Sequence, residues 1–189
     1  MVENSSVNIE VLVNGQAAQI GDKMKLDILS HITTSVVDAH LVSIDNGVRV
    51  YSNEQMLKFI REYSSKFDQF LERSFAAAFA YNSKDMLVGT SFAASGSGEE
   101  PGADREQCFL YGNYVAPDHH GMHIGRDLLR VVKKEAVDRG YKTMSALATL
   151  FPGTLEFYRK NGFELMGREP REISETDFMF ERIVADLTK

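Results

Sequence analysis

The chain has 189 residues, 43% hydrophobic and 25% charged, which is enough for one domain with a real core. Its formal charge of −6 argues against a nucleic-acid partner, which needs a basic face, and no apolar run approaches the roughly 18 residues of a membrane-spanning helix. The polar start MVENSSVNIE lacks the features of a secretory signal, and the single Cys108 cannot form an internal disulfide, so a cytoplasmic location is expected.

Residues 7–13, VNIEVLV, alternate and predict a strand closed by Asn14-Gly15. From Lys25 to Leu41 the positions Ile28, Ile32, Val36 and Ala39 have helical spacing, although the run ITTSVV is β-branched. Ser52 and Gln55 form a capping box ahead of Met56, Ile60, Tyr63, Phe67 and Phe70, an amphipathic helix with a break at Ser64-Ser65. The period then changes to two. Phe75, Ala77, Phe79 and Tyr81 alternate, NSKD turns the chain, and MLVGTSFAAS returns it as a hairpin. Residues 96–106 read as a loop and 107–115, QCFLYGNYV, as a third strand ending at Ala116-Pro117.

A helix from about His123 to Arg139 buries Ile124, Leu128, Val132 and Ala136, and Gly140 suits a left-handed C-terminal cap. KTMSALATL predicts a buried strand. A short helix follows, opened by Pro152 and closed by Asn161-Gly162. FELMGREPREI and ETDFMFERIV make a last hairpin. This order predicts an α/β (α+β) fold: one mixed, mostly antiparallel central sheet flanked by helices, in a single domain over 1–189.

The chemistry concentrates in YVAPDHHGMHIGRDLL (114–129). It holds His119, His120 and His123 of the chain's five histidines, together with Gly121 and Gly125. A strand, a glycine-bearing turn and a helix N-terminus make an anion site, because the first helical amides lack intrahelical acceptors and the helix dipole adds about half a positive charge. The stretch is neither a P-loop nor a dinucleotide fingerprint. A metal is the competing reading, since His119 and His123 are four apart. A site needs further ligands, and the glutamate of HExxH is missing, so no metal is expected.

This loop resembles the acetyl-CoA loop of the GNAT superfamily of N-acetyltransferases, in which Val-x-Pro precedes Gln/Arg-x-x-Gly-x-Gly/Ala. FYRKNGF (157–163) resembles a second signature, a tyrosine followed by a Gly-Phe pair. Gly125 and Phe157 lie 32 positions apart, with one helix and one strand between them. The resemblance covers roughly 75–183; residues 1–74 fit it only in outline. The chain departs from the family at His120, usually Gln or Arg, and at His123, usually Gly. Backbone amides survive those changes, and His tolerates the left-handed conformation better than most residues. A protonated His120 ring adds a donor for phosphate.

The resemblance implies transfer of an acetyl group from acetyl-CoA to a primary amine of a small molecule or peptide, by direct attack on the thioester. Acetyl-CoA would bind at Tyr114, Val115, His120, Gly121, Met122, His123, Ile124, Gly125 and Arg126. Amides near Tyr114 and Val115 would hold the oxyanion, and Tyr158 would protonate the leaving thiolate. The alternative is a CoA- or acyl-CoA-binding sensor of the same fold without turnover.

No base is legible. Tyr111 and Asn113 share a strand face by period two. The acidic loop residues Glu99, Glu100, Asp104 and Glu106, with Asp68 and Glu72, are weak candidates, and His31 and His40 receive no role. Cys108 reads as a small buried hydrophobe. The apolar strand DFMFERIV (177–184) is a candidate homodimer surface. Neither a nucleic acid nor a membrane is expected as partner.

Overall fold

The computed structural model describes residues 7–45, 50–95, 106–151, 153–173 and 176–189. Strand β1 (Asn8–Val13) ends where Asn14 and Gly15 turn the chain, with φ of 57° and 80°. Helix α1 (Asp22–Asp45) extends beyond the predicted Lys25–Leu41 at both ends. Its β-branched run does not stop it, because Ile28, Ile32 and Val36 are buried and packing overrides a weak propensity. Ala39 is only partly buried, and His40 beside it is buried instead.

The expected capping box opens α2 (Asn53–Ser65), with Ser52 and Gln55 satisfying each other's backbone amides. The helix breaks at Lys66, next to the predicted site, and α3 (Phe67–Arg73) follows. The sheet then builds up as β2 (Ser74–Tyr81), β3 (Leu87–Ser95) and β4 (Gln107–Val115). Helix α4 (Ile124–Asp138) leads to β5 (Thr143–Thr149), α5 (Thr154–Lys160) to β6 (Phe163–Ile173), and β7 (Thr176–Asp186) closes the chain. The predicted loop residues 96–105 and Pro152 fall outside the described residues.

The seven strands form one sheet in the order β1-β2-β3-β4-β5-β7-β6. Every pairing is antiparallel except β4 with β5, which α4 connects as a crossover. Helix α4 covers one face and α1, α2 and α3 cover the other, each over its own apolar core. Strand β2 is buried on both faces, and a register shift between Ser74 and Ala76 turns Phe75 to the α4 core instead of the face of Phe79 that period two predicts. Ala76, Ala78 and Ala80 face the α4 core, while Ala77 and Phe79 face the other. Small residues let α4 approach closely, and a Cβ on Gly89 would lie 2.8 Å from Leu128 Cδ1.

β7 lies inside the sheet, paired with β5 on one edge and β6 on the other. The strand singled out as a dimer surface is thus paired on both edges from Phe180 onward, and its Phe180 and Ile183 belong to the chain's own cores.

Candidate functional site

The one parallel pair among the described residues opens the site. β4 and β5 are in register over just Gln107↔Thr143, Cys108↔Met144 and Phe109↔Ser145, while β5 stays paired with β7 along its whole length. From Leu110 onward β4 turns away, and its outer edge lines a gap. Midway along that edge the β3–β4 register jumps from Phe92↔Tyr111 to Thr90↔Tyr114, a bulge centred on Gly112 and Asn113. Gly112 has φ +60°, and a Cβ there would sit 2.6 Å from the Phe92 ring. The hydroxyl of Thr90 donates to the Gly112 carbonyl at 2.8 Å and holds the bulge.

The bulge corrects the expectation from period two. Tyr111 and Asn113 do not share a face, because the one extra residue resets the alternation. Tyr111 stacks on Phe92 in the α1–α3 core and bonds to Ser74 and to the Phe70 carbonyl. Asn113 instead reaches Tyr158 on α5. Its Oδ1 is buried without a hydrogen-bond partner among the described residues.

The bulge also sorts the two amides assigned to the oxyanion. Ala116 donates its N–H to Val88 of β3, and Tyr114 is paired with Thr90. By ladder alternation the Tyr114 amide turns toward β3 and the Val115 amide toward the gap. Val115 is therefore the available donor, whereas Tyr114 contributes a partly buried ring.

After β4, Pro117–His119 form a single 3-10 turn, and the loop reaches α4 through two left-handed residues, Gly121 at φ 79° and His123 at φ 64°. His123 thus adopts the conformation that glycine usually supplies. Asp127 is the first residue to bond back into the helix, to the His123 carbonyl, so the amides of Ile124, Gly125 and Arg126 lie ahead of any intrahelical acceptor. Met122 and Arg126 are exposed at the rim of this N-terminus. The His120 ring folds back to the Val115 carbonyl, Nε2 to O 2.9 Å, rather than reaching outward as a phosphate donor.

Gly125 brings the two sequence signatures together. A Cβ there would lie 3.3 Å from Val115 and 3.5 Å from Phe157, so glycine lets the α4 N-terminus, the end of β4 and α5 converge. Next to Phe157, Tyr158 is buried between edge-on Phe157 and Phe163 rings. Burial pushes its phenol up to about 12, and the Asn113 amide pulls the other way. The proton therefore stays on Tyr158 at neutral pH, and Asn113 is positioned to support the phenolate.

The acidic candidates disperse. Glu99, Glu100 and Asp104 lie outside the described residues. Glu106 pairs with Lys142 at the start of β4, roughly 27 Å of strand away from Val115. Asp68 is tied to Lys25 at 2.8 Å, and Glu72 is exposed. Cys108 is buried, and its thiol is pushed up to about 12 by that burial, which fits the hydrophobic reading. His40 bonds through Nε2 to Asn53 at 3.0 Å and packs on Phe151. His31, to which helical spacing gave no role, lies with its Nε2 3.5 Å from the Tyr114 carbonyl. Only the pairing of α1 with the end of β4 reveals that position. No group of three or more His, Cys, Asp or Glu suited to a metal occurs among the described residues.

Residues 76–165 match the family model of the acetyltransferase (GNAT) domain. Among curated proteins no sequence match is found. Among solved structures, a GCN5-related N-acetyltransferase from Rhodopseudomonas palustris superposes with TM-score 0.67 at 19% identity, covering 96% of both chains. A GNAT-family acetyltransferase from Staphylococcus aureus gives 0.63 at 15% identity over 95% of this chain and 99% of that one. The PaiA N-acetyltransferase from Thermoplasma acidophilum, solved with coenzyme A, gives 0.63 at 18% identity over 96% and 99%. At these identities the structural likeness concerns the fold, and the domain match concerns residues 76–165. Residues 76–165 thus carry an acetyltransferase (GNAT) domain match, within a chain that has the fold of solved GNAT acetyltransferases.

Proposed function

We propose that the protein is an N-acetyltransferase that moves the acetyl group of acetyl-CoA to a primary amine of a small molecule or peptide. The observation that carries this reading is the convergence at Gly125, where a nest of free helix-start amides meets the opened edge of β4 and the Tyr158 helix. The residues fit acetyl-CoA. Left-handed Gly121 and His123 turn the loop so that the Ile124, Gly125 and Arg126 amides are presented to a pyrophosphate. The splayed edge of β4 offers unpaired backbone groups to an extended pantetheine arm.

Acetyl-CoA supplies an activated acyl group with a thiol leaving group. The chain's own residues supply the rest. The Val115 amide faces the gap and can hold the negative charge that develops on the carbonyl oxygen, a contribution of about 2.7–4 kcal/mol for a preorganised donor. Tyr158 carries its proton at neutral pH and gives it toward the departing sulfur, with Asn113 steadying the charge left behind. The apolar walls, Phe157, Phe163 and Ile124, keep water from competing with the amine.

The test is a calorimetric titration with acetyl-CoA, with and without chelator, followed by thiol release against a panel of primary amines. Micromolar binding indifferent to chelator and amine-dependent thiol release are expected. Binding without release under any amine would make the protein a CoA-binding sensor. Absence of binding would overturn the assignment of the loop.

A further inference from the structure

The amine must lose a proton, and no motif of the sequence provides the group that takes it. Two histidines from distant parts of the chain meet where β4 ends, on the sheet face opposite α4. His31 stands on α1 beside buried Ile32, and its Nε2 is 3.5 Å from the Tyr114 carbonyl. A carbonyl only accepts, so this contact favours the tautomer with the proton on Nε2 and the lone pair on Nδ1. His119 ends the 3-10 turn that packs against α1. Its Nδ1 is buried and has no hydrogen-bond partner among the described residues. Ser35, one turn along α1 from His31, has a buried hydroxyl in the same condition. An unmet buried polar group is costly and calls for an explanation, which a polar ligand at this place provides.

Resting on the acetyltransferase reading above, we propose that His31 and His119 form the proton-accepting end of the acceptor site, against which a primary ammonium group lies. The placement follows from the sheet. The loop and α4 hold the acetyl donor on one face, and Tyr114 directly precedes Val115, whose amide faces the reacting carbonyl. The α1 face is the side left for the acceptor.

In the step, the ammonium gives one N–H proton to Nδ1 of His31. The freed nitrogen lone pair forms the C–N bond to the acetyl carbon, the C–S bond breaks, and the sulfur takes the Tyr158 proton. His31 passes its proton through His119 to solvent, and Tyr158 is reprotonated from the second amine hydrogen, so that one proton is released in total. The surroundings suit a base at neutral pH. Burial holds the His31 pKa below its ordinary 6.5, the Tyr114 carbonyl opposes that, and His119 adds to the lowering. The other titratable groups nearby are exposed Asp27 one turn earlier on α1, exposed Asp118 on the turn, and the Tyr114 phenol, which burial keeps protonated. His31 is neutral above its depressed pKa, so activity rises with pH through a range below 6.5 and is level by pH 7.

The experiment records kcat against pH with an amine that supports thiol release, for the natural chain, His31→Gln and His119→Gln, with acetyl-CoA affinity and thermal melts as controls. The expected result is an acidic limb below pH 6.5 in the natural chain. His31→Gln removes that limb and lowers kcat at pH 7 about 100-fold, with acetyl-CoA affinity within about twofold. His119→Gln moves the limb upward, because the repulsive neighbour is gone. If both variants keep the natural limb, whether turnover stays level or falls uniformly, the histidines are structural and the inference is overturned. If the natural chain shows no amine-dependent release, the transferase reading fails first and the inference falls with it.

Discussion

The two faces of the sheet do different work with different materials. On the α4 face the proposed donor site is made of backbone: left-handed Gly121 and His123, the helix-start amides and the unpaired edge of β4. On the α1–α3 face the proposed acceptor side is made of side chains: the rings of Tyr63, Tyr111 and Tyr114, with His31 and His119 at the end of β4. A backbone site tolerates side-chain replacement as long as φ and the amide are kept. A side-chain site changes its chemistry with every substitution. A fold built this way can keep one donor and vary its acceptors, and the acetyltransferase domain match begins at residue 76, after α1–α3.

The bulge joins the two faces, and breaking it should have the largest effect. Gly112→Ala places a Cβ 2.6 Å from Phe92 and 3.0 Å from the Tyr63 hydroxyl at a φ of +60°. A loss of about 3 kcal/mol is expected, a Tm lower by roughly 6–12 °C, read from a thermal melt. A melt within about 2 °C of the natural chain would show that the two faces are less tightly coupled at the bulge.

Tyr158→Phe separates chemistry from binding. Removing the proton donor should lower kcat about 100-fold, near 2.7 kcal/mol, with acetyl-CoA affinity unchanged in calorimetry. Equal turnover would place the proton donor on another residue and leave Tyr158 as packing alone.

The mildest change sharpens the contrast most directly. His123→Gly keeps the amide and permits φ 64°, so acetyl-CoA affinity should stay within about twofold. His123→Pro cannot adopt positive φ and removes the amide, so affinity should fall about tenfold or more. Equal losses in both variants would mean that the imidazole, not the backbone, serves the donor.

The turn into α4 was legible because its determinants are local. Gly121, His123 and Gly125 lie within five residues of one another ahead of an apolar stripe, and the turn there runs through left-handed Gly121 and His123. The capping box, the break after Ser65 and the left-handed Gly140 were legible for the same reason. The face of Asn113 was misassigned, since a bulge is set by pairing with β3 and shifts alternation without a mark in the local pattern. The place of β7 between β5 and β6 was not legible, because strand order is a tertiary property.

The sequence by itself determined the succession of elements, the sheet class and the turn that presents amides at the start of α4, since these follow from periodicity and short-range sterics. Only the tertiary structure decided which backbone groups remain free and which side chains meet. The parting of β4 from β5 leaves the Val115 amide unpaired, and the packing of α1 on β4 sets His31 beside Tyr114 across a separation of 83 positions. Proton transfer and oxyanion binding depend on distances of a few ångströms between such segments, and those distances are fixed by long-range packing.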